Sequence, residues 1–209
     1  YFPGTANGLN QWYAFEDSRA NYLKMGAFFV DHLKINNDPR LTFTVAKDAA
    51  GNYTGNAADD QDSINTSYIG SAFASSTSPI GLVTYAEAKF IEAEAKLRLS
   101  QNARPALEAA IGASVLKVTG TPATPAFIAS STLTVNLATI IQQKYNALFL
   151  TLEPYNDYRR TGFPTLVPNQ DSDTKTIPVR LPTSSQERNY NPNATVVSNV
   201  TTNVWWDKN

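Results

Sequence analysis

Apolar positions recur with helical period in three separate stretches of this 209-residue chain. In the first, Tyr22, Met25, Phe28, Phe29 and Leu33 fall at spacings of three, four and seven, which predicts a helix from Asp17 to about Ile35 capped by Asp17 and Ser18. "NNDPRL" (36 to 41) ends it, because the residue before Pro39 is pushed out of the helical region. The second stretch, "TYAEAKFIEAEAKLRLS" (84 to 100), carries the strongest helical pattern. Thr84 and Glu87 form a capping box, and Glu92 with Lys96 and Glu94 with Arg98 are spaced as i,i+4 pairs. Asn102 and Pro105 restart a helix that runs to about Val118, with Ala106, Leu107, Ala110 and Ile111 on one side and Gly120 past its end. The two helices make an antiparallel hairpin of about 35 residues, the size of a tetratricopeptide unit. The third stretch runs from Asn136 to about Leu152, with Leu137, Ile140, Ile141, Tyr145, Leu148, Phe149 and Leu152 as its core face. Pro154 then kinks or restarts the helix.

Between these stretches the period disappears. Thr42 to about Pro79 is rich in Gly, Asn, Asp and Ser and reads as a long loop region, with short strands at "LTFTV" and around Tyr68 and Ile69. Thr119 to Thr134 reads as a Pro-, Thr- and Ser-rich connector, and the chain after Gly162 and Pro164 as loop and short extended pieces. The expected fold class is mainly α, a tetratricopeptide-like helical scaffold with long irregular loops and few short strands. It divides into a first helix with a loop-rich candidate ligand region (1–80), a hairpin with the third helix (81–165), and a loop-rich C-terminal segment (166–209).

Composition removes several functions. The net charge is −1 and only 17% of residues are charged, which gives no basic surface for nucleic acid or anionic lipid. The absence of cysteine excludes disulfides, thiolate metal sites and a Cys nucleophile. The chain begins at Tyr1, so it reads as a processed or partial sequence with any export signal or lipid anchor upstream.

Candidate chemistry is sparse. His32 is the only histidine and sits on an apolar helix, where a structural role is favoured over a Ser-His-Asp triad. The pairs Asp60 with Asp62 and Asp171 with Asp173 offer oxygen ligands, but neither has the glycine and glutamate spacing of a calcium loop. A glycosidase needs two carboxylates facing across a sugar, and sequence places no such pair. Trp12 and Tyr13 stand apart, because "ANGLNQWYAF" sets flat rings among amide side chains, a mixture that suits the apolar face and hydroxyls of a sugar. The alternative is that they anchor the segment to the core. In "PYNDYRRTGFPTL", Arg159 and Arg160 end a helix, placed to bond its last carbonyls or a carboxylate of the hairpin such as Glu94, and this reads as a structural latch.

Four blocks in order, "TYAEAKFIEAEAKLR", "IIQQKYNALFLTLEPYNDYRRTGFPTL", "IPVRLP" followed by "NPN", and the terminal "VWWDKN", together with "NNDPRL", resemble the SusD/RagB family of Bacteroidetes, its second SusD-like subgroup in particular. The resemblance covers the C-terminal portion of such proteins. It implies a lipid-anchored protein on the outer face of the outer membrane that captures glycans, or peptides in some members, without cofactor or catalysis. It also implies delivery of the ligand to a TonB-dependent transporter of the SusC type. In that family loops outside the scaffold hold the ligand, which points here to Trp12 and Tyr13 and then to the long loop with Tyr53 and Tyr68. A polysaccharide-degrading enzyme and a helical-repeat protein-interaction scaffold are the competing readings.

Overall fold

The computed structural model describes residues 2–5, 7–20, 22–60 and 64–207. Ten helices and two short strands are seen among them: α1 Gln11–Ser18, α2 Ala27–Ile35, α3 Leu41–Thr44, β1 Val45–Ala46, β2 Tyr68–Ile69, α4 Ser71–Ala74, α5 Tyr85–Arg98, α6 Arg104–Thr119, α7 Pro125–Ser131, α8 Leu137–Ala147, α9 Glu153–Thr161 and α10 Ser185–Tyr190. The chain is mainly α, built on a tetratricopeptide-like hairpin of α5 and α6.

That hairpin forms as its sequence directs. The Thr84 hydroxyl accepts from Glu87 N–H, and Gly120 closes α6 at φ 71°. Small alanines let the two helices approach. Phe90, Leu107, Ile111 and Ile140 are fully buried between α5, α6 and α8, with Phe127 of α7 packed at the edge. A second core forms under the long loop from Met25, Phe29, Val30, Leu33 and Val45.

Several expectations are corrected, among them the strand at "LTFTV", of which Leu41–Thr44 is helix α3 and only Val45 begins a strand. The stretch from Asp17 to Ile35 is two helices, because Met25 leaves the helix to pair elsewhere: its N–H donates to Ser67 O and its carbonyl accepts from Asn56 N–H. Asp17 and Ser18 therefore end α1 instead of capping a longer helix, and Tyr22 is 72% exposed. Helix α8 stops at Ala147, since Leu150 takes φ 64°, and Leu152 points out at 80% exposure. Pro154 then restarts the chain as α9. The connector holds α7, capped by Thr124 with Pro125 in its first turn, and the C-terminal segment holds α10, capped by Ser184.

The long loop is packed rather than open. β1 and β2 pair antiparallel with Val45 opposite Ile69 and Ala46 opposite Tyr68. A Cβ on Gly70 would stand 2.3 Å from Phe43 O, so only glycine lets the strand that precedes α4 pass α3. "NNDPRL" makes a tight helix stop: Asn37 adopts φ 48°, and Asp38 N–H reaches back to Leu33 O. Asp38 and Arg40 then form a buried pair, in which Arg40 Nε and Nη2 donate to the two Asp38 oxygens at 2.9 and 2.6 Å.

Several carboxylates are held ionised. Hydrogen bonds from Lys89 and then Lys96 lower Glu92 to about 2. The Thr54 hydroxyl and the Asn52 N–H lower Asp48. Burial raises Glu94, but its bonds from Arg160 and Arg98 outweigh that and leave it lowered. His32 is lowered by burial above all, so it too takes up its proton more readily in the unfolded chain. All four shifts have the same sign, with the unfolded chain binding more protons as pH falls. Thermal melts should lose a little stability below about pH 6.5 through His32 and much more between about pH 4.5 and 2 through the carboxylates. A melting temperature that stays level from pH 7 to pH 2.5 would refute this.

Candidate functional site

Asn10 sets the geometry of the amino-terminal aromatics. Its side chain is fully buried, its oxygen accepts from the N–H groups of Trp12 and Tyr13 at 2.9 and 3.1 Å, and its nitrogen donates to Ser78 O at 2.7 Å. The Asn10 N–H also donates to Ser76 O. One residue thus caps α1 and ties it to the turn after α4. Trp12 and Tyr13 lie on a short helix, not on the loop that the Asn- and Gly-rich sequence predicts.

Trp12 is half-buried and lines two hollows. The larger, about 500 Å³, has Phe73 and Phe149 among its lining residues, with an apolar lip of Ile80 and Leu82 and, on other sides, Thr84, Glu87, Lys117 and Glu153. Leu82 is 94% exposed, so the lip is open to a ligand. Phe149 also stacks on core Phe29 at 4.5 Å and meets Phe73 edge-on at 5.4 Å, which fixes these rings to the second core. The smaller hollow, about 250 Å³, lies among Gln11, Trp12, Phe15 and Leu23. Rings beside hydroxyl, ammonium and carboxylate groups make a surface able to stack a flat apolar face and bond the polar edge around it. Partial burial lowers the Lys117 pKa, against the pull of Glu87.

The other expected residues sit apart from these hollows. Tyr13 is half-buried on α1 but lines neither. Tyr53 packs against the Met25 and Val45 core with Lys47 Nζ 5.6 Å from its ring centre. Tyr68, on β2, accepts a hydrogen bond from Lys24 Nζ at 2.9 Å, and the same ammonium lies 4.2 Å from its ring centre. Thr54 and Ser67 bond to each other, so Tyr53 and Tyr68 belong to neighbouring segments. The structure therefore separates Trp12 from the Tyr53 and Tyr68 pair. Sequence reasoning missed Asn10 as the cap that holds Trp12, and Phe73 and Leu82 as parts of its surface.

His32 stacks on Phe28 with ring centres 6.3 Å apart. Among the described residues no three His, Asp or Glu side chains converge as a metal site requires, and Asp62 lies outside those residues. No helix among them is long and apolar enough to cross a membrane.

Residues 1–182 match the model of the SusD-like family described as "starch-binding associating with outer membrane", and the chain belongs to that family. No curated protein matches. Among solved structures, the fold is similar to a chitin-binding SusD homologue from Flavobacterium johnsoniae at TM-score 0.81 and 24% identity, covering 98% of this chain and 53% of that one. It is also similar to a SusD homologue from Bacteroides vulgatus at TM-score 0.77 and 23% identity, covering 88% and 49%. A third, from Bacteroides fragilis, gives 0.76 and 23%, covering 97% and 56%. The chain spans about half the length of these structures.

Proposed function

We propose that the chain is the ligand-holding portion of a cell-surface protein that captures an oligosaccharide without chemical change and passes it to a TonB-dependent outer-membrane transporter. The observation that carries this reading is Trp12, held by the Asn10 cap at the junction of two open hollows and rimmed by polar side chains. Family membership supports the ligand class and the surface location. The similar structure from Flavobacterium johnsoniae is that of a chitin-binding SusD homologue, which supports a glycan as the ligand class. Tyr13, Tyr53 and Tyr68 extend the ligand surface only if the sugar chain runs beyond the hollows, and Trp12 is the residue on which binding depends.

Affinity electrophoresis against a panel of neutral polysaccharides tests this, with released sugars measured in parallel. Trp12→Ala should weaken retention about tenfold or more, because covering one ring is worth about 1.5–3 kcal/mol. Retention equal to wild type would remove Trp12 from the site. Glu87 and Glu153 both line the larger hollow, so an enzyme would release products and lose that release in Glu87→Gln or Glu153→Gln. Retention with no products is the expected result.

A further inference from the structure

A second cleft, of about 490 Å³, lies between one face of α2, the turn joining α7 to α8, the first turns of α8 and the Phe163–Thr165 segment. Among the described residues no Asp, Glu, Lys or Arg side chain lines it, so an ionic ligand would find no counter-charge from them there. What lines it is a pair of stacked rings, Phe28 and His32, a third ring at Phe163, and the hydroxyls and amides of Ser131, Thr139 and Gln142. His32 is held neutral by burial, with the nearby Asp38 and Arg40 acting on it in opposite senses. The Gln142 amide nitrogen is screened from water and has no hydrogen-bond partner among the described residues. An acceptor entering the cleft would satisfy it, and leaving such a group unmade is costly.

We propose that this cleft is a second saccharide-binding site, taking a neutral sugar unit against the His32 and Phe28 rings with its hydroxyls on Gln142, Thr139 and Ser131. The choice of a sugar rests on the function proposed above, whereas the neutrality of the ligand rests on the uncharged lining alone. Helix α8 links the two sites. Thr139 and Gln142 line the new cleft and Ala147 lines the Trp12 hollow, and the eight steps from Thr139 to Ala147 advance about 12 Å along the axis. A polymer held at both places would gain affinity by raising the local concentration of its second contact.

The test uses the whole chain, a panel of neutral polysaccharides in affinity gels, and titration calorimetry with a short oligosaccharide of the polymer that is retained best. Gln142→Ala should leave the melting temperature unchanged, since its amide nitrogen bonds nothing among the described residues, yet lower polymer retention about tenfold. His32→Ala should do the same to retention. Calorimetry should give two sites in wild type and one in Gln142→Ala. Retention of Gln142→Ala and His32→Ala equal to wild type, or a single site in wild type, would overturn the proposal. So would a wild type that no neutral polysaccharide retains, or that binds peptides in its place. If Trp12→Ala binds as wild type while Gln142→Ala does not, the second cleft stands and the Trp12 reading falls. If only Trp12→Ala loses binding, the reverse holds.

Discussion

Arg40→Ala should be the most damaging single substitution in the chain, lowering stability by about 3–5 kcal/mol. The side chains of Arg40 and Asp38 are each 1% exposed, so the pair is cut off from water. Arg40 spends its donors on both Asp38 oxygens, on Ser114 Oγ at 2.8 Å and on Gln143 Oε1 at 3.2 Å. These bonds join the stop of α2 to α6 and α8, and thus the two cores. Removing the guanidinium strands a buried carboxylate without its counter-charge and leaves two further acceptors unpaired. At about 2–4 °C per kcal/mol for a chain of this length, the melting temperature should fall by about 10 °C. Replacing both partners, as Asp38→Asn with Arg40→Met, should recover part of the loss, because a buried pair exchanged for neutral groups of similar volume costs much less than a pair broken on one side. A fall of less than about 3 °C for Arg40→Ala would show that the cores do not depend on this pair.

The parts of the fold that are legible in the sequence are those whose causes are local. The hairpin α5–α6 needs only a Thr84 cap, alanine spacing and Gly120, all within one stretch of chain. The first helix is misread because its break comes from bonds of Met25 to Asn56 and Ser67, residues whose proximity no local pattern records. Asn10 was readable in principle, since an Asn directly before "QWYAF" is a helix-start signal that the Gly- and Asn-rich surroundings hide. Arg40 shows the opposite case. Its partner Asp38 is two residues away, but Ser114 and Gln143 are 74 and 103 residues away, and "NNDPRL" reads only as a stop. The Trp12 surface is legible as far as its ring and no further. Phe73, Leu82 and Phe149 reach it from separate segments, and each alone looks like an ordinary core or loop residue.

Arg160→Ala should lower stability strongly and leave glycan retention unchanged. Arg160 Nη2 donates to Glu94 Oε2 at 2.5 Å while Nη1 bonds Oε1, a forked grip that fastens α9 to the hairpin. The same guanidinium bonds Asp157 Oδ1 from Nε at 2.9 Å and from Nη2 at 2.6 Å. Asp157 in turn meets Lys144 of α8 at 3.0 Å, and Glu94 also accepts from Arg98 at 2.8 Å. Five charged groups from α5, α8 and α9 therefore close one network, in which Glu94 and Asp157 are buried. Without Arg160 the two carboxylates keep one cation each and lose their common bridge, for which a loss of about 2–4 kcal/mol is expected. Arg160→Lys should not restore it, since an ammonium cannot span both Glu94 oxygens and Asp157 in one plane. Arg159→Ala should act elsewhere, because Arg159 lies between the Tyr155 and Trp206 rings at 4.6 and 4.8 Å and bonds Val179 O. That change should loosen the C-terminal segment, read as faster proteolysis there with a smaller fall in melting temperature. Binding should survive both changes, for Arg160 stands seven residues along α9 from Glu153 at the Trp12 hollow, about 10 Å along its axis. Loss of retention in Arg160→Ala with an unaltered melting temperature would turn the latch into a ligand contact.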